Sequence, residues 1–340
     1  MKERIGVGIM GTGSIVNTYV QCIRDLPNVY LAGFYTATPD RKASVEKTFG
    51  VPVYTALELF LELPDLDLVC ICTKSGGHGQ ATIAAARAGK HVLCEKPLEV
   101  SPEKVDASIT ACAKHGVKLG TAFQNRCGAD FKKVHTVVSE GKLGRLLMGN
   151  AHINWYRSAE YYAQNPWRGT LEWDGGAAFM NQGIHTIDLL LALFGEVKSV
   201  FGTINTRIHA IEGEDVGSAI LTFANGAIGN ITAGTALYPG YPERLEIYGE
   251  KGSILMSGGK IVHWNVQGLP APELMHNQEG SGASDPTAIG HENHKEIIRD
   301  MLGAIANDRD PMVSGPEARK SVEVITALYQ SSKESKLIFL

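Results

Sequence analysis

The sequence predicts an α/β protein with a doubly wound parallel sheet, followed by an α+β domain built on an antiparallel sheet. Residues 1 to about 123 alternate short β-rich runs with helical segments, which is the pattern of βαβ units. After Arg126 consecutive strands are joined by tight turns, which is typical of antiparallel pairing. A chain of 340 residues is long enough for two domains, which we place at residues 1–124 and 125–340.

The first domain is predicted to contain six strands with five helices between them. The strands are expected at Ile5–Met10, Tyr30–Tyr35, Val51–Tyr54, Leu68–Cys72, His91–Glu95 and Lys118–Ala122. The helices are expected at Ser14–Arg24, Arg41–Phe49, Leu57–Leu63, Gly79–Ala88 and Pro102–His115.

The second domain is predicted to begin with a helix and to continue mainly as strands. Helices are expected at Ala129–Glu140 and Phe179–Leu193, and strands near Leu146–Tyr156 and at Val197–Ile208, Gly217–Phe223, Ala227–Gly234, Leu245–Tyr248 and Ser253–Met256. Residues 265–290 are rich in Pro, Gly and Ser and predict a long loop. The last two helices are expected at His291–Ala306 and Gly315–Lys333.

Charge and composition exclude several classes of partner. With 32 basic and 36 acidic residues, the net charge of -4 offers no basic excess for a nucleic acid backbone. The longest uncharged run, Val216–Tyr241, contains the turn signal Asn225-Gly226, so it predicts a hairpin with a type I′ turn and no membrane span. The start of the chain does not resemble an export signal, and the six cysteines form no CxxC pair. We therefore expect a cytoplasmic protein with reduced cysteines.

The clearest ligand signal is a glycine turn after the first strand. Gly11 permits the tight turn, Gly13 lets a pyrophosphate approach the backbone, and the N–H groups from Ser14 and Ile15 onward face the anion. The alternative is a tight turn that holds no ligand. Thr36 stands where a carboxylate would select NAD, and Arg41 lies close by, so the sequence permits either NAD or NADP.

Three further segments carry polar residues where ligands bind in such folds. Two follow predicted buried strands, namely Thr73 to His78 and Glu95-Lys96-Pro97, although Glu95 and Lys96 could also form a plain surface ion pair. The third is a predicted helix that carries Asn181, His185 and Asp188 at i, i+4 and i+7. A histidine in this position is usually a hydrogen-bonded core residue, but three polar groups on one face favour a site. The pair His291 and His294 has a spacing of three where a zinc helix needs four, so we predict no catalytic metal.

In this order and at this spacing, the motifs resemble the glucose-fructose oxidoreductase, inositol dehydrogenase and MocA (Gfo/Idh/MocA) family. The resemblance covers essentially the whole chain. It implies a Rossmann domain and a domain with a large open antiparallel sheet, whose outer face commonly forms homodimers and homotetramers. It also implies an oxidoreductase that exchanges a hydride between NAD or NADP and a secondary hydroxyl or ketone of a sugar, polyol or nucleotide sugar.

The same resemblance assigns roles to individual residues. Lys96 matches a lysine that contacts cofactor and substrate hydroxyl, and His185 matches a proposed general acid/base. Asn181 replaces the usual carboxylate, which makes His185 a weaker proton acceptor. The substrate is expected to meet Asn181, Asp188 and Tyr156, and the cofactor to meet Gly11, Gly13, Ser14, Ile15, Thr36, Arg41, Thr73, His78, Glu95, Lys96, Gln124, Trp167 and Arg168. The segment around Met180 resembles the nucleotide-sugar 3-dehydrogenase branch.

Two alternatives share this fold: a regulator that binds a dinucleotide or sugar without chemistry, and an NAD-dependent glycoside hydrolase with no net redox change. The enzyme hypothesis depends on Lys96 and His185 acting on the same substrate hydroxyl.

Overall fold

The computed structural model describes residues 4–273 and 291–340, which divide into two compact units. One unit runs to Gln124 and takes in the segment that ends at Arg319. The other begins at Asn125 and takes in Lys320–Leu340.

The first unit is built on a six-stranded parallel sheet with the order β3-β2-β1-β4-β5-β6. Its strands are β1 (Ile5–Met10), β2 (Val29–Tyr35), β3 (Val53–Tyr54), β4 (Leu68–Ile71), β5 (His91–Cys94) and β6 (Leu119–Thr121). Its helices are α1 (Val16–Asp25), α2 (Lys42–Phe49), α3 (Leu57–Leu61), α4 (His78–Arg87) and α5 (Pro102–Lys114). Every residue of β4 is buried, as expected for a strand covered on both faces. The doubly wound fold predicted from the sequence is confirmed.

The second unit is built on an eight-stranded sheet with the order β13-β12-β11-β7-β10-β9-β8-β14. The strands are β7 (Leu146–Asn154), β8 (Val197–Asn205), β9 (Val216–Phe223), β10 (Ile228–Gly234), β11 (Arg244–Gly249), β12 (Gly252–Ser257), β13 (Lys260–Val266) and β14 (Ile338–Phe339). The helices are α6 (Ala129–Ser139), α7 (Ala159–Ala163) and α8 (Ile184–Phe194).

This sheet is mixed, whereas the sequence predicts antiparallel pairing throughout. β7 and β10 run parallel in the register Met148 to Ile228, and the other pairs are antiparallel. A parallel pair needs a long connection, and the chain from β7 to β10 supplies one through α7, α8 and two further strands. β13 and β14 are missing from the sequence prediction: β13 overlaps the predicted loop, and β14 has only two residues. Residues 274–290 of that loop lie outside the described residues.

The hairpin between β9 and β10 forms as predicted, but its turn is of another type. A type I′ turn requires positive φ at both central residues. Only Gly226 has it, with φ of 87°, while the Asn225 side chain accepts from the Ala227 N–H at 2.9 Å and donates to the Phe194 carbonyl at 3.0 Å. The asparagine therefore acts through its side chain.

Two final helices, α9 (Glu292–Ala306) and α10 (Gly315–Glu334), follow the sheet of the second unit in the sequence. The sequence places both in the second domain, but α9 groups with the first unit. The reason is its apolar face, since Ile297, Ile298 and Met301 are buried and α9 packs against α1 and β5. After α9, the Thr121 N–H donates to the Val313 carbonyl at 2.9 Å, which extends the edge of β6.

Within the described part of the chain, none of the helices combines the length and apolar character that crossing a bilayer requires.

Candidate active site

The turn after β1 has the shape that a dinucleotide pyrophosphate requires. Gly11 has a φ of 112°, and a Cβ there would lie 2.3 Å from the Cys72 carbonyl oxygen, so only glycine fits. A Cβ at Gly13 would meet nothing within 4 Å, which leaves open space at the backbone. Helix α1 follows Ile15, its N-cap residue, and has no side-chain cap and no acidic residue in its first turn. Its N–H groups can therefore serve an anion, and the residues present fit a bound dinucleotide.

Two residues, Arg41 and Thr36, are predicted to meet the adenosine end of the cofactor. They make different contacts. The Arg41 guanidinium donates to the Thr12 carbonyl at 3.1 Å, so it lies directly beside the glycine turn. The Thr36 hydroxyl is buried and accepts from the Thr38 N–H at 3.2 Å. With an arginine near the turn and no carboxylate at position 36, the site is compatible with NAD and with NADP.

His78 braces the two loops that follow β4 and β5. Its Nδ1 lies 2.7 Å from the Pro97 carbonyl oxygen and its Nε2 lies 3.2 Å from the Thr73 carbonyl oxygen. Burial lowers the pKa of His78, while the two backbone carbonyl oxygens oppose this shift. The sequence predicts a cofactor contact for His78, but both ring nitrogens already face backbone carbonyls. This geometry favours a bracing role, with the exposed Thr73 nearer to solvent.

Glu95 is a buried carboxylate next to Lys96. It is 9% exposed, and it accepts a hydrogen bond of 2.8 Å from the Tyr19 hydroxyl. Burial and the charge of Glu95 raise the pKa of Tyr19. The alternative of a plain surface ion pair between Glu95 and Lys96 does not fit a carboxylate buried to this degree.

His294 is a member of this cluster that sequence reasoning missed. It is 4% exposed, its Nε2 lies 3.9 Å from Glu95 Oε1, and its ring meets the Tyr19 ring edge-on at 6.1 Å. Burial lowers the pKa of His294, the charge of Glu95 opposes this shift, and the Lys96 ammonium adds to it. From the sequence, His291 and His294 are only a pair of histidines whose spacing does not suit a zinc site. Among residues 4–273 and 291–340 no cluster of His, Cys, Asp and Glu could hold a metal ion.

In the second unit, a π-helical segment (Ala178–Gly183) leads directly into α8. Every residue from Asp174 to Leu191 is buried except Asn181 and His185, which are half-buried. These two side chains are the ones that this long apolar run presents at its surface. That exposure does not fit the alternative of a core histidine.

Asp188 is buried, unlike Asn181 and His185. Its carboxylate is 1% exposed and accepts two hydrogen bonds from the Arg126 guanidinium, at 2.8 and 2.7 Å. The predicted polar face therefore divides, because Asn181 belongs to a wider π-helical turn and Asp188 to a regular α-helical one. The buried pair favours a role for Asp188 in holding α8, in place of the substrate contact that the sequence predicts.

A chain of polar side chains surrounds Asn181. Arg157 donates to Gln182 Oε1 at 2.7 Å, and Gln182 Nε2 donates to Asn181 Oδ1 at 2.7 Å and to the Tyr161 hydroxyl at 2.9 Å. Asn181 Nδ2 in turn donates to the buried carboxylate of Asp174. None of these partners was predicted, because the sequence does not show which loop residues contact the helix.

The remaining predicted residues lie near these hydrogen-bonded side chains or in the first unit. The Arg168 guanidinium lies 4.1 Å from the centre of the Tyr161 ring. Trp167 is half-buried, and Tyr156 is half-buried with its ring edge-on to Tyr238. Gln124, at the end of the first unit, is buried, and its Oε1 has no hydrogen-bond partner among the described residues. That buried acceptor is a position that a bound ligand could satisfy.

Glu214 caps the start of the π-helical segment. Its carboxylate accepts from the Phe179 N–H at 2.7 Å, from the Ala177 N–H at 3.3 Å and from the Tyr329 hydroxyl at 3.0 Å. Burial raises the pKa of Glu214 to about 7, although these hydrogen bonds oppose the shift. Glu214 and Tyr329 line a cavity of about 290 Å³ on this unit. Sequence reasoning missed Glu214, since Tyr329 is far from it along the chain.

Two family models match the chain, one in each unit. Residues 5–123 match an oxidoreductase family with an NAD-binding Rossmann fold, and residues 131–255 match the GFO/IDH/MocA C-terminal domain. These matches confirm the resemblance inferred from the sequence.

Individual relatives agree with the family matches. The WlbA dehydrogenase from Bordetella pertussis, solved in complex with NADH and UDP-GlcNAcA, is 31% identical, with a TM-score of 0.88 and 99% of each chain covered. Myo-inositol 2-dehydrogenase from Thermotoga maritima is 25% identical over 346 residues, which is 98% of each protein. The scyllo-inositol 2-dehydrogenase (NADP(+)) IolW from Bacillus subtilis is 27% identical, with 99% of this chain and 96% of that protein covered.

Proposed function

The chain belongs to the Gfo/Idh/MocA oxidoreductase family, and on that premise we propose that it is an NAD(P)-dependent dehydrogenase of a sugar, polyol or nucleotide sugar. The observation that carries the proposal is the exposure of His185 and Asn181 alone in a buried helical run. A histidine held at the surface of an apolar run is suited to exchange a proton with a ligand. The retention of Lys96 beside the buried Glu95 supports the same activity.

We assign the proton transfer to His185 and the stabilisation of the reacting oxygen to Lys96. A bound nicotinamide supplies the redox chemistry by accepting or returning a hydride. Oxidation of a secondary hydroxyl also releases a proton from oxygen, and the His185 imidazole can take it. The Lys96 ammonium, as a donor, can orient that oxygen and stabilise the negative charge that develops on it. Gly11 and Gly13 would hold the pyrophosphate, with Arg41 toward the adenosine end.

Within the sugar and polyol class we propose a nucleotide sugar as the substrate. Support comes from WlbA, which is 31% identical over 99% of each chain and was solved with UDP-GlcNAcA. The inositol dehydrogenases, at 25% and 27% identity, support a polyol as the second candidate. Arg168, with its guanidinium above the Tyr161 ring, is a half-buried cation that suits an anionic substrate.

We further propose that the outer face of the eight-stranded sheet forms a homodimer or homotetramer. This face exposes a group of apolar side chains on adjacent strands, namely Met148, Phe201, Ile220, Ile228 and Tyr248. Such a group on one sheet face is typical of an association surface. Ile220→Lys should lower the mass measured by light scattering to that of a smaller species, and an unchanged mass would contradict the assignment.

The cytoplasmic location predicted from the sequence also stays a proposal. Its support is the burial of all six cysteine thiols, which suits a reducing compartment. Burial raises the pKa of Cys22 to about 11 and that of Cys112 to about 12, so these thiols are unreactive.

A substrate panel tests the enzymatic proposal. The purified protein is mixed with NAD or NADP and with UDP-N-acetylglucosaminuronate, myo-inositol or free aldoses, and the absorbance of reduced nicotinamide is followed. We expect reduction with at least one of these compounds. Binding of NADH without reduction by any of them would favour the regulator, and release of a sugar without net reduction would favour the glycoside hydrolase.

A further inference from the structure

The hydrogen bonds around Asn181 run in one direction, from the donor Arg157 through Gln182 and Asn181 to the acceptor Asp174. The residues at the two ends determine this direction. At one end Arg157 has only donors, so the Gln182 atom 2.7 Å from it must be the carbonyl oxygen. The Gln182 amide nitrogen then faces Asn181, whose oxygen accepts from it at 2.7 Å. The Asn181 amide nitrogen is left to donate to Asp174, which as a carboxylate has only acceptors.

We propose that Asp174 is a positioning residue that fixes the carboxamide of Asn181, one helical turn before His185. This inference rests on the proposed function of that site. Asp174 is itself held, because it is 2% exposed and its second oxygen accepts from the Gly169 N–H at 2.8 Å. The half-buried amide of Asn181 therefore keeps one orientation, with its nitrogen toward Asp174 and its oxygen toward Gln182.

The donor pattern predicts that neither residue can change alone. Asp174→Asn can keep the bond from Gly169, but its amide nitrogen then meets the amide nitrogen of Asn181. Turning the Asn181 and Gln182 amides only moves this donor–donor contact along the chain to Arg157, which has no acceptor. Asn181→Asp instead places two carboxyl groups in contact, which raises the pKa of one of them; above that pKa both are charged and repel each other.

Exchanging the two residues, by contrast, keeps every bond of the chain. With both substitutions present, the amide at position 174 accepts from Gly169 and donates to the carboxylate at position 181. That carboxylate still accepts from Gln182. The pair Asp174 and Asn181 should therefore behave as one unit, in which a carboxylate and a carboxamide can change places.

The test is a double-mutant cycle read in two ways. At about pH 8, where both carboxyl groups of the Asn181→Asp variant are ionised, Asp174→Asn and Asn181→Asp should each lower kcat by roughly 10- to 100-fold with little change in KM, as expected when a buried group loses its partner. For Asn181→Asp, this loss outweighs the stronger proton acceptance that a carboxylate gives His185. The double variant should recover to within about threefold of the wild type. Asp130→Asn, a substitution of the same kind in the same unit whose oxygen can still accept from the Ile261 N–H, should leave kcat unchanged. Losses that simply multiply in the double variant would overturn the inference.

The second measurement is independent of the substrate. Midpoints of urea unfolding should fall for both single variants and return toward the wild type in the double variant. If the wild type oxidises no compound of the panel, the proposed function fails, and these midpoints alone decide the inference. Additive shifts in the midpoints would then overturn it, and recovery in the double variant would support it.

Discussion

Glu214→Gln should flatten the pH dependence of stability between about pH 4.5 and 7. Burial raises the pKa of the Glu214 carboxyl from 4.5 to about 7 in the folded state. Between these two values the folded protein therefore holds a proton that the unfolded chain has lost. Stability rises as the pH falls through this window, and it decreases as the pH rises toward 7.

The size of the effect follows from the shift in pKa. A difference of about 2.5 between the two pKa values, at about 1.4 kcal/mol for each, amounts to roughly 3.5 kcal/mol of unfolding free energy over the whole titration. The ionised carboxylate keeps its bonds from Phe179 and Tyr329, but they do not offset the loss of hydration. A glutamine at this position cannot ionise, so its contribution to the pH dependence should disappear.

The assay is urea unfolding, followed by circular dichroism, at a series of pH values from about 5 to 8. Relative to the wild type, Glu214→Gln should lose about 2.5 kcal/mol of the change in free energy across the series. Glu212→Gln, at the neighbouring exposed position, is the matched control and should follow the wild type. Parallel curves for the wild type and Glu214→Gln would refute the account of this carboxyl group.

Other substitutions test the glycine turn and the buried ion pair. Gly11→Ala should lower the melting temperature, because its φ of 112° and its contact with the Cys72 carbonyl strain any side chain by about 1–3 kcal/mol or more. Gly13→Ala should melt as the wild type does but bind NADH more weakly in a fluorescence titration, and equal melting of the two variants would contradict this reasoning. Asp188→Asn should cost about 3–5 kcal/mol in chemical unfolding, because it leaves the Arg126 guanidinium buried beside a neutral group; a loss below about 1 kcal/mol would count against the buried pair.

The parallel sheet of the first unit could be predicted because its signals are local. Each strand is a short apolar run such as Leu68–Ile71. The residues that mark the start and the end of each helix also lie within or next to that helix. The turn through Gly11 and Gly13 is equally local. These features need no knowledge of distant contacts, which is why the order of elements agrees with the sequence prediction.

The parts that could not be predicted depend on contacts between distant residues. Glu214 is held by Phe179 and by Tyr329, which lie 35 and 115 residues away along the chain. The burial of His294 beside Glu95 follows from the packing of α9 on the first unit, which the helical pattern does not reveal. Periodicity predicts that Asp188 shares a face with Asn181, because it assumes a regular α-helix where the chain forms a π-helical turn.

The central claim is that Lys96, although it is expected to contact the cofactor, takes part in the chemistry and contributes little to cofactor affinity. The direct test compares turnover and NADH affinity in Lys96→Met, with Lys114→Met, an exposed lysine at the end of α5, as the control. We expect Lys96→Met to lose about 100-fold or more in turnover, while its dissociation constant for NADH stays within about threefold of the wild type. Near-normal turnover in Lys96→Met would contradict the account.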